Sequence, residues 1–128
     1  MILCPALGDM FARKKPTDEN DLNQKLASLL LTHVPELRSE HPTVSFACAC
    51  VIPDHTLAED DLIIEAKYLR KGTPPSKATE GIAADLTKYP TKSFIIFVVY
   101  DPERQVRNDG VFRRDIERKG RNRVLIVR

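Results

Sequence analysis

An α/β fold with a mixed central sheet flanked by helices is predicted by two features of this 128-residue chain. Stretches with leucine or isoleucine at helical spacing alternate with β-branched, apolar runs. The order is helix, strand, strand, helix, strand, helix, strand, which implies helices packed on a sheet. One run, from Phe94 to Val99, contains no polar residue at all, as a strand covered on both faces requires. The length bounds one domain with one modest core. Hydrophobic residues make up 42% and charged residues 30%, the balance of an ordinary globular domain.

Residues 1–16 are expected to form an N-terminal arm and residues 17–128 the folded domain. Pro16 and the polar residues 17–20 mark a helix entrance. Leu22, Leu26, Leu29, Leu30 and Val34 then recur at helical spacing, and Asp18, Glu19 and Asp21 sit where acids favour a helix N-terminus. Pro35 ends the helix. The stretch TVSFACACVI is expected to be extended throughout, DHTLAED to be a turn, and LIIEAKYL to be the second strand. RKGTPP interrupts it. Ser76 to Tyr89 is expected to be helical, with Ala78, Ile82, Leu86 and Tyr89 inward. SFIIFVVY is an interior strand, DPERQVRNDG a loop, Val111 to Lys119 a short charged helix, and RVLIVR the last strand.

No run approaches the ~18 apolar residues of a membrane helix, so no membrane partner is expected. In the first sixteen residues the basic side chains follow the apolar stretch, the wrong order for a secretory signal. The three cysteines, Cys4, Cys48 and Cys50, make no disulfide framework and point to a reducing, cytoplasmic setting. Cys48 and Cys50, near His41 and His55, are small buried thiols rather than half of a zinc set, because no second pair completes one. The formal net charge of +2 forces no partner. After Tyr100, however, nine basic residues stand against five acidic ones. Such a surplus either grips phosphates, with strong salt dependence, or is a solvated, salt-bridged surface.

The chemistry concentrates in VIPDHTLAEDDLIIEAKYLRKG, residues 51–72. Strand side chains alternate faces, so Glu65 and Lys67 share one, roughly 6.6 Å apart at the ~3.3 Å rise per residue. Ile63 and Leu69 flank them there. Leu62, Ile64, Ala66 and Tyr68 take the other face. The strand is thus apolar on both sides except for one acid and one base. Asp54 lies at the end of the preceding extended run. If the two strands pair, at the ~4.8 Å spacing of a sheet, the two carboxylates converge. Converging carboxylates repel unless a cation sits between them. Mg²⁺ suits such a place, because it takes one or two carboxylates and leaves room for phosphate oxygens. Lys67 beside it would orient a water or offset charge growing on a phosphate. The plainer alternative makes Glu65 and Lys67 the exposed face of an edge strand and Asp54 a turn residue after Pro53.

Pro53-Asp54 followed by Glu65-Ala66-Lys67 resembles the PD-(D/E)XK signature of restriction-endonuclease-like nucleases. DENDLNQKLASLL, PDHTLAEDDLIIEAKYLRKG, GIAADLTKYP and FIIFVVYDP together resemble the small PD-(D/E)XK domains of bacterial restriction and phage-defence proteins, from Lys15 onward. The resemblance implies a restriction-endonuclease-like core. It implies Asp54 and Glu65 as metal ligands completed by the carbonyl of Ala66, Lys67 as the catalytic lysine, and an accessory residue from the first helix among Glu19, Asn23 and Gln24. Asp85, Tyr89, Tyr100 and Asp101 also match, in structural or substrate-positioning roles. Cys48-Ala49-Cys50-Val51 stands where the smaller group has glycine and serine.

The function so implied is a metal-dependent endonuclease, with Mg²⁺ as cofactor and Mn²⁺ as its substitute. DNA is its expected substrate and phage defence its expected setting. Arg70, Lys71 and Lys77, just beyond the motif strand, are expected to hold the nucleic acid backbone. A homodimer or a larger defence assembly would supply the second site that cutting both strands needs. The rival reading is an inactive module of the same fold that binds nucleic acid or a protein.

Overall fold

The computed structural model describes residues 9–33, 38–39, 44–46, 49–51, 55–57, 61–89 and 92–128. Residues 9–13 form one helical turn, α1. After it come α2 (Glu19–His33), β1 (Arg38–Ser39), β2 (Val44–Phe46), β3 (Ala49–Val51), β4 (His55–Leu57), β5 (Leu62–Tyr68), α3 (Pro75–Lys88), β6 (Phe94–Tyr100), α4 (Asp109–Glu117) and β7 (Asn122–Val127). Five strands form one sheet in the order β1-β4-β5-β6-β7. β1, β4 and β5 pair antiparallel, whereas β5, β6 and β7 pair parallel. The mixed α/β architecture is the one the sequence predicts. In the main sheet, α2, β4, β5, α3, β6, α4 and β7 follow one another in the predicted alternation of helix and strand.

Two local expectations change. The run TVSFACACVI is not one strand, because its halves pair with each other. β2 and β3 form a separate two-stranded antiparallel sheet with Val44 opposite Val51 and Phe46 opposite Ala49. The partner of β5 is instead β4, inside the stretch expected to be a turn. It is three residues long and is set by register: His55 lies opposite Ile64, Thr56 opposite Ile63 and Leu57 opposite Leu62.

Two cores sandwich the sheet. Ile63, Leu69, Phe97, Val99 and Val124 meet Ile82 and Tyr89 from the α3 side and Phe112 and Ile116 of α4. On the opposite face Ile64, Ala66, Val98, Tyr100 and Val127 meet Leu22, Leu26 and Leu30 of α2, together with Phe11. Phe11 packs edge-on against the Tyr100 ring at 4.9 Å. β6 is apolar along its whole length because both of its faces are covered.

Local chemistry explains how α2 is seated. Asp18 accepts the Asp21 N–H at 2.7 Å and caps the helix, while the Asp21 carboxylate reaches back to the Thr17 N–H at 3.0 Å. Tyr68 Oη donates to the carbonyl of Pro16 at 3.2 Å, tying the entrance of α2 to the end of β5.

Candidate active site

The alternation along β5 places its two ionisable residues on the α3 side. Glu65 is 6% exposed there and Lys67 half-buried. Each meets a residue of α3 or its end. Tyr89 Oη donates a hydrogen bond to Glu65 Oε1. Lys67 Nζ lies 2.5 Å from Asp85 Oδ2, and Asp85 is itself 5% exposed. Lys88 reaches the other oxygen of Asp85 at 3.3 Å. Two residues along a strand advance ~6.6 Å, and four along a helix ~6.0 Å. The strand pair 65 and 67 therefore matches the helical pair 89 and 85, with α3 running antiparallel to β5. Lys67 Nζ also lies 4.0 Å from where a Cβ on Gly81 would stand, one turn before Asp85.

Electrostatics follow from this packing. Burial works against the charged form of Lys67. The hydrogen bond and charge of Asp85, then the charges of Glu65 and Glu19, outweigh it, and the ammonium is held above the usual lysine value. Lys67 thus carries its positive charge in the field of carboxylates from three elements, α3, β5 and α2.

The candidates on α2 separate. Glu19, exposed at the start of the helix, is near enough for its charge to act on Lys67. Asn23 Oδ1 lies 3.1 Å from Nε2 of the buried His55, and so engages β4. Gln24 is exposed. Ala66, buried between Glu65 and Lys67, points its side chain into the α2 core. Arg70, Lys71 and Lys77 are all exposed beyond the end of β5, with Arg70 over the Tyr68 ring at 5.6 Å from its centroid. Asp54, the expected second carboxylate, lies outside the described residues.

Asp85 and Tyr89, expected from the resemblance in structural or substrate-positioning roles and not as catalytic residues, are the side chains that hold Lys67 and Glu65. Their signal was the four-residue spacing on a helix face also occupied by Ile82 and Leu86. Among the described residues no three His, Cys, Asp or Glu side chains gather as a metal cluster. The donors present are nevertheless of the right kind for Mg²⁺. A buried carboxylate and an adjacent backbone carbonyl are hard oxygen ligands, and this ion takes few protein ligands and keeps several waters.

Comparison with known proteins adds one match. The family model described as REase_DpnII-MboI, for the DpnII-MboI restriction endonucleases, matches residues 14–128. No curated protein and no solved structure matches the chain significantly. Among the described residues no helix is long and apolar enough to cross a membrane.

Proposed function

Because the chain belongs to the DpnII-MboI restriction endonuclease family, we propose that it is a metal-dependent endonuclease that hydrolyses phosphodiester bonds in DNA. Glu65, Asp54 and the carbonyl of Ala66 would hold Mg²⁺, or Mn²⁺ in its place, with Lys67 as the catalytic lysine and Glu19 as the accessory acid of the first helix. The observation that carries this proposal is the pair Glu65 and Lys67, side by side on an otherwise apolar strand face and each held by a partner from α3 or its end. Even when paired, buried charges of this kind seldom stabilise a fold more than apolar residues of the same volume would, so their placement points to a reason other than stability. The proposal requires of Asp54 that the register of β4 and β5 continue one residue past His55 and Ile64, setting it opposite Glu65.

The chemistry supplied by such an ion is acidification of a water and neutralisation of phosphate charge. Residues of this chain do the rest. Lys67 presents an ammonium that keeps its proton, suited to an oxygen whose negative charge grows during in-line attack. Asp85 fixes where that ammonium stands, and Tyr89 fixes the Glu65 carboxylate. Arg70, Lys71 and Lys77 would hold the DNA backbone beside them. A cytoplasmic place, a phage-defence role and a dimer that brings two sites to a duplex belong to the same proposal.

The test is cleavage of duplex DNA with Mg²⁺ and with EDTA, by the unaltered protein, Glu65→Ala and Lys67→Ala. Cleavage is expected only with metal, and each substitution is expected to slow it about 100-fold or more. Equal rates in all three proteins would overturn the assignment. DNA affinity without metal binding or cleavage would point instead to an inactive binding module.

A further inference from the structure

We propose that the loop after β6, through Arg104 and Arg107, is a second DNA-backbone contact that extends the surface beyond the strand-end basic residues. This rests on the nuclease reading and adds to it a surface that the motif does not assign. Because β5, β6 and β7 run parallel, the segments that follow them emerge at one rim of the sheet. Lys67 is the last residue but one of β5, so the same rim carries the candidate active site.

Arg104 has φ +51°, in the left-handed region that favours glycine. An arginine kept at such a position is a strained choice, and strain of this kind concentrates where a side chain has a task. The loop is pinned from beneath. Asp101, fully buried, accepts the N–H groups of Gln105 at 2.7 Å and Val106 at 2.9 Å. Arg104 and Arg107 remain exposed above it. Two hollows adjoin there, of about 450 and about 410 Å³, and both arginines line both of them.

Charge pairing separates these arginines from their neighbour. Arg128 is neutralised, since both its terminal nitrogens lie 2.7 Å from the carboxylate of Asp109. Among the described residues neither Arg104 nor Arg107 has a carboxylate within ion-pair distance. Glu103 belongs to the loop but lines neither hollow. Two guanidinium groups without an ion-pair partner, lining shared hollows at the active-site rim, are donors of the kind that grip backbone phosphates.

The experiment measures binding of a short fluorescein-labelled DNA duplex by anisotropy, in EDTA so that no cleavage occurs, across a salt series. Arg104→Gly removes the charge and relieves the backbone, so it tests the contact without weakening the fold. It is combined with Arg107→Gln, and Arg104→Lys keeps the charge. Arg121→Gln, at the opposite rim before β7, serves as control. Each lost phosphate contact is expected to weaken binding about eight-fold at 0.1 M salt and to reduce the slope of log affinity against log salt by about 0.9. The double variant should show both losses, and Arg104→Lys and Arg121→Gln much less. If the unaltered protein binds and the double variant binds equally well with the same slope, the surface is wrongly assigned while the nuclease reading stands. If the unaltered protein binds the duplex at low salt neither in EDTA nor with Ca²⁺ in place of Mg²⁺, the nuclease reading itself falls.

Discussion

Glu65 is a carboxylate in an apolar strand, and a charge taken from water needs partners. The Tyr89 hydroxyl is one of them. Tyr89→Phe keeps the ring in its core and removes only the donor, so it should lower stability by about 1–2 kcal/mol. The measurement is the urea midpoint, with the slope of the transition unchanged. An unmoved midpoint would show that the hydroxyl contributes nothing net. At this scale the sequence was legible in one respect. A two-residue period puts Glu65 and Lys67 together whatever surrounds the strand. Which α2 residue approaches them was not legible, because Glu19, Asn23 and Gln24 differ only in how the helix is rotated on the sheet. Asn23 turns to His55 on β4, and Glu19 acts on Lys67.

Among the elements, α3 and β5 form the decisive pair. Asp85 and Lys67 face each other between two packed surfaces. Asp85→Asn should therefore cost about 1–3 kcal/mol by taking from a half-buried ammonium its nearest counter-charge, discounted for the water that still reaches Lys67. Adding Lys67→Met to that variant should recover part of the loss, since an uncharged pair pays no desolvation. A double-mutant cycle checks this, and strictly additive losses would refute it. The α3 helix was legible because Ala78, Ile82, Leu86 and Tyr89 repeat at its period. β4 was not. His55, Thr56 and Leu57 carry no apolar alternation of their own, and their strand character comes from pairing with β5 on one side and β1 on the other. The β2–β3 hairpin was hidden for a related reason: small and β-branched residues suit one long strand as well as two short ones.

For the whole molecule, the last residues matter because Arg128 ties three regions together. Its guanidinium joins Asp109 at the start of α4, Asp101 after β6 and the carbonyl of Val106. The hydrogen bond from Arg128 holds the Asp109 carboxyl below the usual carboxylate value. Slight burial opposes this, and the charges of Arg128, Arg113 and Arg104 assist it. A carboxyl lowered by folding contributes stability above its unfolded value, and that contribution fades as pH falls below about 4. Asp109 is partly exposed, so the amount is only about 0.5 kcal/mol after screening. Melting temperature followed from pH 6 downward should thus fall further for the unaltered protein than for Asp109→Asn. Parallel curves would remove Asp109 from this role. The overall alternation of helix and strand was legible because it depends on apolar periodicity, which the core enforces. The order of strands in the sheet was not, since it depends on contacts between distant segments.

Among the described residues β7 is the outermost strand beside β6. An open strand margin can template addition of a foreign strand. Arg121 and Arg123, both exposed, give that margin a run of like charge, so two molecules approaching margin to margin repel. Growth of a continuous sheet through successive copies is disfavoured. An assembly that brings two catalytic centres to opposite strands of a duplex would therefore have to be built through some other part of the molecule.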